Sequence, residues 1–211
     1  VPILPEVVDL ESVESALGSM RTLPVGIEKD SLEVATVNLK DAYIYNITGE
    51  DVTSLPGFLH GVARAAVKVP NTQCIILDAL GALSSESISD EGIFYDSGKC
   101  DTMIAKLTEI VEAKKANNTP DEVVCMIIGM NSLFQKMSSI EKGNLTMLIQ
   151  NSANLGTLKF ITVDTIDNIK SISYEVWYKT NVDLSEGIWI GNGIANQFTL
   201  KVTTNARILR A

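Results

Sequence analysis

The 211-residue chain sets 17 Lys and Arg against 26 Asp and Glu, a formal net charge of −9, so a nucleic-acid backbone would be repelled on average. With 45% apolar and 20% charged residues it is too hydrophobic for disorder, and it lacks the uncharged apolar run of about 18 residues that a membrane-spanning helix needs. A chain of this length buries roughly 70% of its unfolded surface, enough for one ample core.

The arginines are Arg21, Arg64, Arg207 and Arg210, and no segment concentrates Lys and Arg strongly, which argues against nucleic-acid binding. Cys74, Cys100 and Cys125 have no metal-ligand spacing. They read as reduced core thiols of a cytosolic protein. The single histidine, His60, leaves no partner for a zinc site and reads as a partly buried helix residue. No basic segment followed by an apolar stretch marks a signal peptide, and the start at Val1 without an initiator Met is that expected of a piece of a longer protein.

In chain order, Pro2, Pro5, Pro24, two acidic stretches and a β-like run over Leu32–Leu39 read as a lead-in with an edge strand, residues 1–40, rather than a separate domain. From Asp41 to the end, short apolar runs alternate with helical periodicity, the rhythm of an α/β core with a mainly parallel sheet and helices on both faces. Ala42–Ile47 is the first strand. Leu55, Leu59, Val62, Ala63, Ala66 and Val67 define one face of a helix that ends before Pro70. Cys74–Leu77 is the second strand, and the polar stretch from Gly81 to Gly98 is long enough for a functional loop. Asp101 is the expected N-cap of a helix with Ile104, Leu107, Ile110 and Val111 inward. Val123–Ile128 is the third strand and should be central. Ser138 with Glu141 forms a capping box for a helix running toward Asn154, which Gly156 stops. Phe160–Val163 is the fourth strand, Ile166–Tyr178 a further helix, and Gly187–Gly191 and Gln197–Val202 closing strands.

In such a fold the first strand-to-helix turn is where helix-start amides can cradle a phosphate. Here that turn is Gly49, Glu50, Asp51, Val52, Thr53, Ser54 and Leu55, followed by Pro56. A working phosphate loop needs Gly-x-x-x-x-Gly-Lys-Ser/Thr, and with Gly49 in register the second glycine is Ser54, the lysine Leu55 and the magnesium-holding hydroxyl Pro56. Glu50 and Asp51 add negative charge where phosphate oxygens would lie. The third strand ends in Gly129-Met130-Asn131, so the carboxylate that would hold a metal is missing there. Asp78, closing the second strand, reads as a loop-capping acid. Ser97-Gly98-Lys99 reads as a helix-entry loop, and Glu86, Asp90, Glu91 and Asp96 as a solvated flank without metal-ligand spacing. Trp177, Tyr178 and Trp189 lie near the closing strands, where core packing or a partner groove would use them. The residues thus name no catalytic group and no metal ligand.

Leu4-Pro5-Glu6, then Leu23-Pro24-Val25-Gly26-Ile27, then a strand, turn and helix carrying Gly57-Phe58-Leu59, resemble the opening of FtsK/SpoIIIE-type motor domains. With Asn154-Leu155-Gly156 before a strand and Gly187-Ile188-Trp189-Ile190-Gly191 near the end, the chain is similar to the degenerate C-terminal domain of type VIIb secretion coupling proteins. The resemblance covers nearly the whole chain. It implies a RecA-like phosphate-loop fold within a longer, membrane-anchored, ring-forming protein, a hexamer, with this domain on the cytoplasmic face. The implied partners are WXG100-type secreted substrates with their chaperones and the other domains and subunits of the same protein. The cofactor stays open, ATP held without turnover being the candidate, and a weak ATP-binding or ATP-hydrolysing motor completed by a neighbouring subunit is the alternative.

Overall fold

The computed structural model describes residues 22–38, 44–54, 56–83, 88, 92–96, 98–117, 122–201 and 209–210. Its frame is a six-stranded parallel sheet of β3 (Ile44–Gly49), β4 (Thr72–Asp78), β5 (Ile93–Asp96), β6 (Glu122–Ile128), β7 (Leu158–Thr165) and β8 (Gly187–Ile190). The strand order is β5-β4-β6-β7-β3-β8, and every adjacent pair runs parallel. The apolar run of β6, buried from Val123 to Ile128, therefore stands in the middle, as a strand covered on both faces must.

Each face has its own cover. Cys74, Ile76, Val124, Met126, Ile128, Ile161 and Val163 point toward α1 (Pro56–Val67), whose Leu59, Val62, Ala63 and Ala66 are buried against them. The same cluster takes in Leu23, Val25, Ala35 and Val37 of a hairpin formed by β1 (Thr22–Glu28) and β2 (Val34–Asn38). On the opposite face, Ile75, Leu77, Cys125, Ile127, Leu158 and Phe160 meet α2 (Cys100–Asn117), α3 (Met130–Lys136), α4 (Ser139–Leu155), α5 (Ile166–Ile172) and α6 (Val176–Asn181). The alternation of side chains along each strand produces these two half-cores.

Local signals explain several boundaries. The Ser138 hydroxyl accepts the Glu141 amide at 3.3 Å while the Glu141 carboxylate accepts the Ser138 amide at 2.6 Å, a complete capping box that starts α4. Gly156 closes the same helix at φ 68°, a left-handed conformation that glycine adopts without a Cβ penalty. Ser138→Ala is accordingly expected to cost about 1 kcal/mol, read as a lowered thermal midpoint.

Other expectations are corrected. The run near Leu32 does form an edge strand, β2, and what the local pattern does not show is its partner β1, with which it pairs antiparallel in a separate three-stranded sheet, order β2-β1-β9, with β9 at Leu209–Arg210. The Gly81–Gly98 stretch contains β5, a short parallel addition at the edge beyond β4 that its polar flanks conceal. Asp101 lies inside the first turn of α2, which begins at Cys100, and its carboxylate accepts the neighbouring Thr102 amide at 2.7 Å. The helix expected over Ile166–Tyr178 is two, broken where Glu175 turns extended, which lets Trp177 enter the core at 1% exposure. The residues from Gln197 to Lys201 form bends rather than a strand, because the Gln197 side chain takes the Leu200 amide and carbonyl that a ladder would use. Leu4-Pro5-Glu6, Leu39, Ala42, Leu55, Ser97 and Val202 lie outside the described residues, as do Glu86, Asp90 and Glu91.

All three cysteines are free and buried. Desolvation pushes the Cys74 thiol up to about 12 and Cys100 to about 11, so both stay protonated and unreactive. Among the described residues no helix is long and apolar enough to cross a membrane.

Candidate functional site

The turn after β3 is built from its own side chains. Asp51 accepts the Thr53 amide at 3.0 Å and the Thr53 hydroxyl at 2.7 Å, and the Ser54 hydroxyl donates back to the Asp51 carbonyl at 2.7 Å. These bonds wind Val52–Ser54 into one 3-10 turn with Val52 fully buried beneath it. A carboxylate thus occupies a backbone donor that an anion cradle would leave free.

Gly49 has a packing reason of its own. A Cβ there would stand 2.4 Å from the Ile190 carbonyl oxygen, because β8 pairs with β3 in register Gly49 to Ile190. The glycine permits the strands to meet. Glu50 follows it, exposed, and Pro56 opens α1 without an N–H to offer. Leu55, between them, is outside the described residues. The residues present do not fit a triphosphate with its magnesium: the amide is spent, no lysine is in register, and two carboxylates stand at the turn.

Two acids stand at the carboxyl ends of β4 and β7, the strands on either side of β6. Asp78, 3% exposed, accepts the Leu80 amide at 3.0 Å and the Leu83 amide at 2.7 Å, so both carboxylate oxygens cap the loop that follows, as the sequence suggests. After β6 the chain passes through Gly129, at φ 83°, straight into α3. The sequence reading missed Asp164. It is the penultimate residue of β7, paired with Thr48, is 1% exposed, and accepts the Asn131 amide at 2.9 Å, the Thr165 amide at 2.9 Å and the Asn168 side-chain amide at 2.7 Å. One carboxylate thereby ties the starts of α3 and α5 to the sheet. Its sequence signal is Phe160-Ile161-Thr162-Val163, an apolar strand closed by an acid, the same pattern that ends at Asp78. Below it a buried polar seam joins Thr162, Asn46 and Tyr178, with Asn46 donating to the Tyr178 hydroxyl at 3.3 Å.

Beyond Glu50, at the carboxyl ends of β3 and β8, lies a cavity of about 360 Å³ lined in part by Glu50, Asp167, Lys170, Trp189, Asn196 and Gln197. This is the crevice where open α/β sheets bind ligands. It places Trp189 beside the candidate turn, whereas Trp177 and Tyr178 are core residues packed edge to face at 5.6 Å. His60 sits half-buried on α1. Gly98 and Lys99 enter α2 under the Asp96 cap, the Gly98 amide donating to Asp96 at 2.9 Å. Among the described residues no three His, Cys, Asp or Glu gather as a metal site.

A parallel sheet of this order with helices on both faces gives the chain the fold of solved ATPase structures, among them the conjugation coupling protein TcpA, at TM-score 0.61 and 12% identity over 86% of this chain. The chain is similar to the cytoplasmic domain of EssC, at TM-score 0.72 and 13% identity over 100% of this chain. It is also similar to EssC ATPases 2 and 3 from Geobacillus thermodenitrificans, at TM-score 0.74 and 12% identity over 99% of the chain. A further likeness is to Thermomonospora curvata EccC, ATPases 2 and 3, in complex with a signal sequence peptide, at TM-score 0.60 and 17% identity over 85% of the chain. These are likenesses of fold, and the chain spans 44% and 42% of the two solved EssC chains and 35% of the EccC chain. No protein-family model matches the sequence, and no curated protein matches it.

Proposed function

We propose that the chain is a non-hydrolysing FtsK-like domain of a type VII secretion coupling protein, acting in substrate recognition and in regulation of export. Residues 1–211 form one such domain, a lead-in of 1–40 and a RecA-like core of 41–211, within a longer protein whose subunits ring the cytoplasmic face of the membrane. The observation that carries the reading is the self-capped turn, in which the Asp51 carboxylate holds the Thr53 amide. Phosphoryl transfer depends on charge placed around the phosphates, and loss of a single arginine finger costs about 10³ to 10⁵ in rate. Here the lysine, the magnesium-holding hydroxyl and the acid after β6 are all missing from their registers. The fold is retained while the phosphate chemistry is not, which leaves a docking role. The EccC structure with a signal sequence peptide lends that role a parallel on the same fold.

Calorimetric titration of the chain with magnesium ATP is expected to give no heat of binding, and phosphate release is expected to stay at background. Titration with the C-terminal signal peptide of a WXG100-type substrate is expected to give saturable binding, and silence at high micromolar peptide counts against the proposal. ATP turnover in the assembled parent protein that falls on Ser54→Asp, an exposed turn position, would instead favour the motor completed by a neighbouring subunit.

A further inference from the structure

The cavity beside the turn is lined by side chains that are nearly all spoken for. The Lys170 ammonium lies 3.0 Å from Asp167 and 5.8 Å from the centre of the Phe198 ring. The Gln197 amide is spent on Leu200 and Thr199, accepting at 2.7 and 2.9 Å and donating at 2.7 Å. The Trp189 indole N–H donates to the Asn192 carbonyl at 2.8 Å, which pins the ring in the cavity wall. What is left over is Glu50, whose carboxylate has neither a hydrogen bond nor an ion pair among the described residues. Lys170 and Asp167 cancel, so one negative charge remains in the lining, beside an aromatic ring and the uncommitted Asn196 side-chain amide.

We propose that this cavity receives the guanidinium of an arginine side chain presented by a partner protein. The inference rests on the recognition reading above and supplies the chemistry of the recognised segment. A planar guanidinium stacks on an indole face while its fork of N–H groups meets a carboxylate and an amide carbonyl, a combination the compact lysine ammonium uses less well. About 360 Å³ lies in the range of ligand pockets and exceeds what one side chain needs, so residues flanking the arginine enter too. Gly193, at φ 87°, keeps the approach open, since a Cβ there would come within 3.0 Å of Glu50 Oε1. An anion is disfavoured because the one lysine among the described lining residues is already paired and Glu50 repels it. A bare metal ion would find too few acids gathered here.

The test uses the two tryptophans. In the ¹⁵N-labelled 211-residue chain, the indole resonance of Trp189 reports on the cavity and that of buried Trp177 serves as the internal control. N-acetyl-arginine N-methylamide is expected to shift the Trp189 resonance saturably at millimolar concentration and leave Trp177 unmoved. Glu50→Gln is expected to weaken that binding at least tenfold. Glu50 is exposed and has no partner among the described residues, so the variant should unfold at the wild-type midpoint, which the same sample verifies. The neutral isostere N-acetyl-citrulline N-methylamide is expected to cause no shift. Equal shifts from citrulline, unchanged binding by Glu50→Gln, or no saturable shift would each overturn the proposal. If the arginine probe is silent while a signal peptide still binds, only this inference fails. ATP turnover dependent on the Gly49–Ser54 turn would sink the recognition reading itself, whatever the arginine probe does.

Discussion

Gly49→Ala is expected to lower the unfolding free energy by about 3 kcal/mol, at the upper end of what overpacking costs, measured by urea denaturation followed by circular dichroism. The added methyl would stand 2.4 Å from the Ile190 carbonyl oxygen and 3.2 Å from its carbonyl carbon. Backbone atoms cannot rotate aside as a flexible side chain can, so β8 must move away from β3 along the registered pairs Asn46 to Gly187 through Gly49 to Ile190. Trp189 lies on the displaced strand, and its fluorescence should shift to the red before global unfolding. A glycine kept only to wrap a phosphate would behave differently, because its replacement would weaken nucleotide binding and leave stability nearly intact. A loss under about 1 kcal/mol would therefore refute the packing role of Gly49.

Asp164→Ala is expected to cost about 2 kcal/mol at neutral pH, because three N–H donors from Asn131, Thr165 and Asn168 lose their shared acceptor at once. The loss also has a pH signature. Burial raises the Asp164 carboxyl above its ordinary 3.8, outweighing the hydrogen bonds from Asn131, Asn168 and Thr165 that pull it down. A carboxyl so raised holds its proton more tightly in the folded chain than in the unfolded one. Its contribution is fully present below the unfolded value and is lost as the pH climbs through the folded value. The stability gap between wild type and Asp164→Ala should thus narrow from acid toward neutral pH, and urea midpoints across that window check it. A gap that widens with pH would mean that the hydrogen bonds, and not burial, govern this carboxylate.

The same two residues mark how far the chain could be read before its fold was known. Gly49 was found because a glycine after an apolar strand is a sequence signal. Its reason for being glycine lies in Ile190, more than a hundred residues onward, which no local pattern reveals. The local pattern gives Asp164 no role, because that role comes from the neighbouring third strand, whose end lacks an acid and beyond which Asp164 reaches Asn131. Locally Glu50 is only a charge hostile to phosphate, and its place in the lining of a cavity with Trp189 and Lys170 depends on strands β3 and β8 lying side by side. The short strand at Ile93–Asp96 and the break at Ser173–Glu175 went unread for a related reason. Strand pairing and the burial of Trp177 decided them, not local propensity.

By itself the sequence determined what arises within a few residues or from periodicity. The apolar runs and helical stripes fix an α/β core, Ser138 with Glu141 and Gly156 delimit α4, and the turn carries neither the lysine nor the hydroxyl of the phosphate-loop pattern in register. Capping, alternation and amphipathic stripes are local physics, so they are legible in one dimension. Only the tertiary structure decided that Asp51 caps its own turn, that Gly49 serves strand packing, that Asp164 braces two helices and that Glu50 faces a cavity. Those outcomes rest on contacts between segments far apart in the chain, and burial, not residue type, gives a carboxylate or a glycine its role there.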